Sequence, residues 1–240
     1  MTPQQLLQAG KLDEAIQAVS AEVRDNPQDV KRRTFLFELL CFAGDFSRAE
    51  KHLDLAAQGS QPAEMGALLY HAALHAERTR QDLFNKQQYP MPKGGAALGE
   101  ITININGKTC HSLVDADPRV GPNLEVFAAG SYMWIPFGLL TSVEIAPPKR
   151  LRDLLWVPAK VRTSDKFEER ELGEVLIPVL TPFAGLHADP NVRLGRATLW
   201  EETADGQTIP VGQKMLLADD EEWPILEIRS IQIALAQTAS

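Results

Sequence analysis

The sequence predicts an α+β protein: a short tetratricopeptide-like helical layer followed by a compact β-rich domain. Three observations carry this. Apolar residues in the first third recur at three- and four-residue spacing, the period of a helix with one buried face. Tyr89-Pro-Met-Pro-Lys-Gly-Gly95 then places two prolines and two glycines in seven residues, which stops a helix. From Ile101 onward an alternating pattern replaces the helical one. We therefore place a helical domain at residues 1–88, a linker at 89–98 and a β-rich domain at 99–240.

Leu6, Leu7, Leu12, Ala15, Ile16, Val19 and Val23 share one helical face, and Pro27 ends that segment. Gly10-Lys-Leu-Asp-Glu-Ala15 and Gly44-Asp-Phe-Ser-Arg-Ala49 align with their glycines 34 residues apart, the tetratricopeptide period. In both copies the glycine suits a tight interhelical turn, Leu12 or Phe46 packs into it, and a small alanine lets the helices approach. Further helices are expected over 29–43 and 63–84, the second with Pro62 near its first turn. Two repeats are too few to stand alone, so the β-rich domain is expected to cap them.

In the second part, Ile101, Ile103 and Ile105 alternate with Thr102, Asn104 and Asn106, and Asn106-Gly107 signals a tight hairpin. The returning strand is expected over 109–114. Later strands are expected at 132–135, 142–145, 154–161, 174–179, 196–202, 214–218 and 225–233, with a turn at Asp205-Gly206. One short helix is expected at 124–129 or 136–140, and the acidic run Asp219-Asp-Glu-Glu222 reads as a solvated loop.

Composition narrows the function. Hydrophobic residues make up 44% and charged residues 23% of the 240, which suits a folded protein rather than a disordered one. A net charge of −8 argues against sequence-independent binding to nucleic acid or to anionic membrane. Only two short basic clusters interrupt it, Lys31-Arg32-Arg33 and Lys149-Arg150-Leu151-Arg152. Cys41 and Cys110 are the only cysteines and lack metal-ligand spacing, so both are expected to stay reduced in the core. No apolar run approaches the ~20 residues of a transmembrane helix, and Met1-Thr-Pro-Gln-Gln-Leu-Leu7 lacks the pattern of a secretion signal. The expected compartment is the cytoplasm.

Chemistry-bearing residues concentrate between Leu113 and Pro158. Asp115 and Asp117 are two apart, so in a strand both carboxylates would share a face and hold one cation or act as an acid/base pair. The run Asp117-Pro118-Arg119-Val120-Gly121-Pro122 is equally turn chemistry, in which the aspartate caps backbone amides and Arg119 supplies the counter-charge. Arg150, Arg152, Asp153, Arg193 and Arg196 suit either an anion site or pairing with the aspartates; no phosphate-loop or dinucleotide motif accompanies them. His71 and His75 lie four apart on a helix but lack the His-Glu-x-x-His order of a metalloprotease. Cys110 and His111 would point to opposite faces of a strand, and no Gly-x-Ser-x-Gly elbow is present. Trp134, Trp156, Trp200 and Trp223 stand among apolar strand residues and read first as core. We expect no metal, no cofactor and no catalysis.

Five motifs occur in one order: Asp115-Ala-Asp117-Pro-Arg119-x-Gly121-Pro122; Tyr132-x-Trp134-x-Pro136-Phe137; Leu151-Arg152-Asp153-Leu-x-Trp156-x-Pro158-Ala159; Leu194-Gly195-Arg196-Ala-Thr198-x-Trp200; and Gly212-Gln213-Lys214 with Leu226-Glu-Ile-Arg229. This order resembles the ImpE/TagJ family of accessory proteins of bacterial type VI secretion, a virulence machinery. The resemblance implies a non-catalytic cytoplasmic adaptor. It also implies as partner the N-terminal amphipathic helix of the small contractile-sheath subunit (TssB/VipA-like), with assistance to a ClpV-type ATPase that handles the sheath.

A partner helix would set apolar side chains into a groove at i, i+3, i+4 and i+7 spacing. Candidate groove residues are Phe35, Leu39 and Phe42 of the helical layer, or Tyr132, Trp134, Phe137 and Trp156 of the β-rich part; all equally suit a core. The alternative is a small-molecule or phospho-ligand binder, or an enzyme, built on Asp115, Asp117, Arg119, Arg152, Asp153 and Arg196. A third reading is a scaffold that bridges sheath and ATPase as a homo-oligomer. Convergence of the Asp/Arg set in an open pocket would favour the ligand reading; pairing-off beside an exposed apolar surface would favour the adaptor.

Overall fold

The computed structural model describes residues 1–58, 61–90, 101–167 and 172–235. The chain is α+β: N-terminal helices precede a large antiparallel sheet. Pro3–Gln8 forms α1, started by Thr2 in a capping box with Gln5 and by Pro3 at the first turn. Leu12–Asp25 is α2, Val30–Phe42 is α3 and Phe46–Ala57 is α4. Asp29 and Asp45 cap α3 and α4 by accepting from the backbone N–H of Arg32 and Arg48. The long α5 spans Gln61–Lys86.

The two repeats pair α1 with α2 and α3 with α4, and α5 packs on α4. Gly10 and Gly44 sit at the paired turns with φ of 78° and 70°, a conformation that side chains with a Cβ rarely adopt. Leu12, Ala15 and Ala49 are buried as the repeat pattern requires. The expected linker at 89–98 lies, from residue 91 onward, outside the described residues.

The second part opens with a hairpin of β1 (Ile101–Ile105) and β2 (Lys108–Cys110) around Asn106-Gly107. The remaining strands are β3 (Val114–Asp115), β4 (Asn123–Ala128), β5 (Ser131–Pro136), β6 (Leu140–Ile145), β7 (Trp156–Thr163) and β8 (Gly173–Pro178). They continue, after the short helix α6 (Pro190–Arg193), with β9 (Thr198–Glu202), β10 (Thr208–Gly212), β11 (Met215–Ala218), β12 (Glu221–Pro224) and β13 (Ser230–Leu235). Eight strands form one sheet in the order β2-β1-β13-β6-β7-β8-β4-β5; β12-β11-β3 form a second sheet and β9 and β10 a ribbon.

Several expectations change. The strand expected at 225–233 opens with a 3₁₀ turn, Ile225–Glu227, and β13 begins at Ser230; the strand expected at 109–114 is divided between β2 and β3, which belong to different sheets. Of the two places expected for a short helix, 124–128 belong to a strand, β4, which pairs with β5 along its whole length; the other, 136–140, holds a 3₁₀ turn at Phe137–Leu139. The expected strand start at 154 is a 3₁₀ turn, Leu151–Leu154, and β7 begins at Trp156. Of the acidic run, Glu221 and Glu222 are in β12, where pairing with β11 supplies the backbone partners and the side chains stay in solvent. Trp200 is 43% exposed, since nothing among the described residues layers over its face of the ribbon; Trp134 and Trp156 are buried.

Two hydrophobic clusters result. One lies within the sheets and gathers Ile103, Leu124, Val126, Ile135, Val157, Leu216 and Ile231. The other joins the helices to the sheet: Leu36, Phe37, Leu74 and Phe84 pack with Phe127, Tyr132, Trp134, Trp156 and Leu176. Strands β4 and β5 thus send alternate residues into the two clusters, whereas β7 gives the helix-facing cluster only Trp156 and exposes Lys160 and Arg162 further along that face.

Candidate functional site

The charged centre of the molecule lies where α5 meets β4. Arg80 donates from Nε to Glu125 Oε1 at 2.7 Å and from Nη2 to Glu125 Oε2 at 2.9 Å, while Nη1 donates to the Leu180 carbonyl at 3.0 Å and reaches Glu77 Oε1 at 3.3 Å. The side chains of Arg80 and Glu125 are 1% and 0% exposed. Lys214 then bridges Glu125 and Asp115. Tyr132 donates its hydroxyl to Glu125 Oε1 at 2.5 Å and accepts from the Trp134 indole; Trp156 donates to Glu77 Oε2 at 3.3 Å.

The electrostatics follow from this packing. Burial alone would raise Glu125, but Arg80 and Lys214 outweigh it and hold the carboxylate well below its usual range. Burial pushes Asp115 up, with Lys214 pulling against it. Burial would lower Lys214, yet Asp115 and Glu125 raise it, so it stays charged. Every formal charge here meets an opposite one, which is the condition for keeping ions out of water.

The Asp/Arg set read from the sequence does not converge. Asp117 pairs with Arg119 through three contacts, 2.8 Å, 3.2 Å and 2.6 Å, while its Oδ1 also accepts from the Arg119 backbone. Arg119 in turn lies over the Phe84 ring at 4.9 Å. Arg152 lies over Tyr70 at 4.6 Å and stands 3.1 Å from Glu38 Oε1, off the line a hydrogen bond needs. Asp153 accepts from the backbone N–H of Lys149 and Arg150. Arg196 donates to the carbonyls of Leu7 and Gln8, and Arg193 pairs with Asp13. Asp115 and Asp117 thus address separate cations, and Arg152, Arg193 and Arg196 fasten the helical layer.

The groove candidates are mostly core. Leu39, Phe42, Tyr132, Trp134, Phe137 and Trp156 are buried, and Phe35 is partly buried against the helical cluster. Their apolar surface is therefore spent inside the fold in this conformation. His71 is within 3.1 Å of Asp54 and 3.8 Å of Glu50, while His75 faces solvent. Cys41 and Cys110 are both buried and free, and burial pushes both thiols up. No group of metal-ligating side chains occurs among the described residues.

Four central residues, Arg80, Glu125, Lys214 and Glu77, escaped the sequence reading as members of a network. Glu125 and Lys214 did carry a signal: Glu125 is a lone charge within the apolar run of β4, and Lys214 directly precedes the apolar run of β11.

The class defined by this architecture is a repeat-derived helical layer locked through a buried charge network onto an antiparallel β part. The chain belongs to the ImpE family: the family's model, described as ImpE protein, matches residues 107–232, a little over half of the chain. It is 28% identical, over 262 aligned positions, to the type VI secretion system accessory component TagJ of Pseudomonas aeruginosa PAO1, covering 96% of this chain and 90% of that protein. The crystal structure of protein VPA1032 from Vibrio parahaemolyticus has the same fold, with a TM-score of 0.82, 21% identity and 97% of each chain covered. No helix among the described residues is long and apolar enough to cross a membrane.

Proposed function

We propose that this protein is a non-catalytic accessory adaptor of a bacterial type VI secretion system, acting in the cytoplasm. The observation that carries the reading is the similarity to TagJ, which extends over 96% of the chain and so spans both the helical layer and the β part. The pairing-off of the Asp/Arg set supports it too. Asp117, Arg119, Arg152 and Arg196 are committed to turns, stacking and capping.

On this reading the protein captures the N-terminal amphipathic helix of the small sheath subunit and presents the sheath protein to a ClpV-type ATPase. The helical layer and the β part act as one unit, because they share the hydrophobic cluster that joins them and the buried Arg80–Glu125 pair. The test is calorimetric titration of the full chain with a peptide of the sheath subunit's N-terminal helix, a scrambled peptide serving as control. Saturable binding that scrambling abolishes is expected; equal heats from both peptides would end the adaptor reading.

A further inference from the structure

The first half of α5 carries an apolar face that the fold leaves open. From Gln61 to Ala76 the only Asp, Glu, Lys or Arg is Glu64. Met65, Leu68 and Leu69 are nevertheless 71%, 70% and 51% exposed. With Ala72 they fall at i, i+3, i+4 and i+7, the stripe by which one helix receives another. A solvated helix normally carries charges on such a face, and a cluster of large apolar side chains without them marks an interaction surface.

The repeat architecture explains the open face. α1 with α2 and α3 with α4 are complete pairs, and α5 stacks on α4 as the first helix of a third pair. Among the described residues no second helix follows it. Along the C-terminal half of α5 the β part takes that place, burying Ala76, Arg80 and Phe84. In the N-terminal half Tyr70 lies beside Trp156 and Ala72 comes close to Gly130, while Met65, Leu68 and Leu69 stay uncovered. Terminal repeats of such layers need a polar outer face or a cover, and here the face is apolar.

Beside the stripe a cleft of about 240 Å³ runs between α5 and the sheet, lined on the sheet side by Phe127, Val175 and Leu176. Its only charged lining residue is Glu174, and Glu64 adjoins Met65 at the other end of the stripe. Both carboxylates are exposed, and Lys160, opposite Glu174 across β7 and β8, offsets one of them, so these three rim charges leave a net negative rim. The complementary occupant is apolar on one face and basic along its flanks.

We propose that the open half of α5 and the adjoining cleft are a docking site for an amphipathic helix with basic flanks, supplied by a partner protein and seated where the second helix of a third repeat would lie. The proposal rests on the adaptor reading for the partner's identity, but the site is defined by the stripe and the cleft. A second copy of this chain is a poorer occupant. Four residues on one helix fall well short of the roughly 800 Å² that each partner buries in a stable pair.

The experiment uses the full chain and two probes: the sheath-subunit peptide, and a designed helix with leucines at i, i+3, i+4 and i+7 and lysines flanking them. Each is titrated against the wild type, Leu68→Glu, Leu69→Ala and the distant control Leu186→Glu, with thermal midpoints recorded. The expected result is at least a tenfold loss of affinity for at least one probe in Leu68→Glu, a smaller loss in Leu69→Ala, none in Leu186→Glu, and unchanged midpoints. If neither probe shows binding that depends on Leu68, the site is wrong. Binding of the sheath peptide that is indifferent to Leu68 would overturn the site and keep the adaptor reading. Leu68-dependent binding of the designed helix alone would keep the site and reject that peptide as its ligand. A wild-type dimer that Leu68→Glu converts to monomer in sedimentation would assign the face to a second copy and overturn the helix-partner proposal.

Discussion

Arg80 and Glu125, 45 residues apart in the chain, form a two-pronged ion pair with both side chains sealed from solvent. One comes from the last helix of the repeat layer and the other from a strand of the sheet, so the pair joins the two parts at their centre. Removing one partner leaves a buried charge with no counter-charge. Arg80→Leu and Glu125→Leu are each expected to lower unfolding free energy by about 3–5 kcal/mol. The double variant should lose much less than the sum, because contacting charges are coupled. Urea denaturation of the four proteins checks this; additive losses would show that the pair is not a unit.

Glu38 gives a pH dependence. Burial pushes it up to about 7, with Arg152 pulling in the opposite direction. The folded chain therefore keeps a proton that the unfolded chain releases, so this contribution is fully present below about 4.5 and is lost as pH rises through about 7. Glu38→Gln should match the wild type near the lower limit and exceed it at pH 8, by on the order of 1–3 kcal/mol. Stability measured across that window for both proteins decides it; parallel curves would mean that Glu38 ionises as freely as in water.

Gly185 lies against the turn at Gly44. A Cβ on Gly185 would come within 2.8 Å of the Gly44 nitrogen and 2.9 Å of the Phe42 carbonyl oxygen, both backbone atoms. Neither can swing aside, so Gly185→Ala should cost about 1–3 kcal/mol and expose the helical layer to limited proteolysis. Unchanged stability and digestion would refute the close approach.

Cys41 is buried, and burial together with the nearby acids Glu38 and Glu77 keeps its thiol protonated. A thiol reagent needs the thiolate. Native protein at pH 8 should leave Cys41 unmodified over the time in which urea-unfolded protein reacts completely. Mass spectrometry of the labelled peptide reads this directly.

The helical layer was legible because each helix buries one stripe and leaves the other wet, which writes a clear period into residues such as Leu12, Ile16, Val19 and Val23. The turn glycines were legible because only glycine suits their backbone. β4 was not, since Leu124 and Val126 enter one cluster while Glu125 and Phe127 face α5, so polarity does not alternate. Misreading that strand also hid Glu125. The groove candidates are large apolar residues, all but Leu39 aromatic, and such residues serve a core as readily as an interface. The open stripe on α5 is visible in the sequence as a half-helix, 61–76, nearly without charge, but exposure is a property of tertiary packing.

The anchoring of both repeat turns has a further consequence. The segment from Gly185 to Arg196 meets Gly44 at its start and Gly10 near its end, where Asn191 and Arg196 lie within 3.7 Å of a Cβ placed on that glycine. It acts as a ruler laid along the turns, with two marks spaced by one repeat. Open-ended repeat proteins lengthen by duplicating a unit anywhere in the stack. Here a unit inserted between the two glycines would move one turn off its mark, so duplication is tolerated only ahead of the first turn, and the reach of the helical layer is set by a loop of the opposite part.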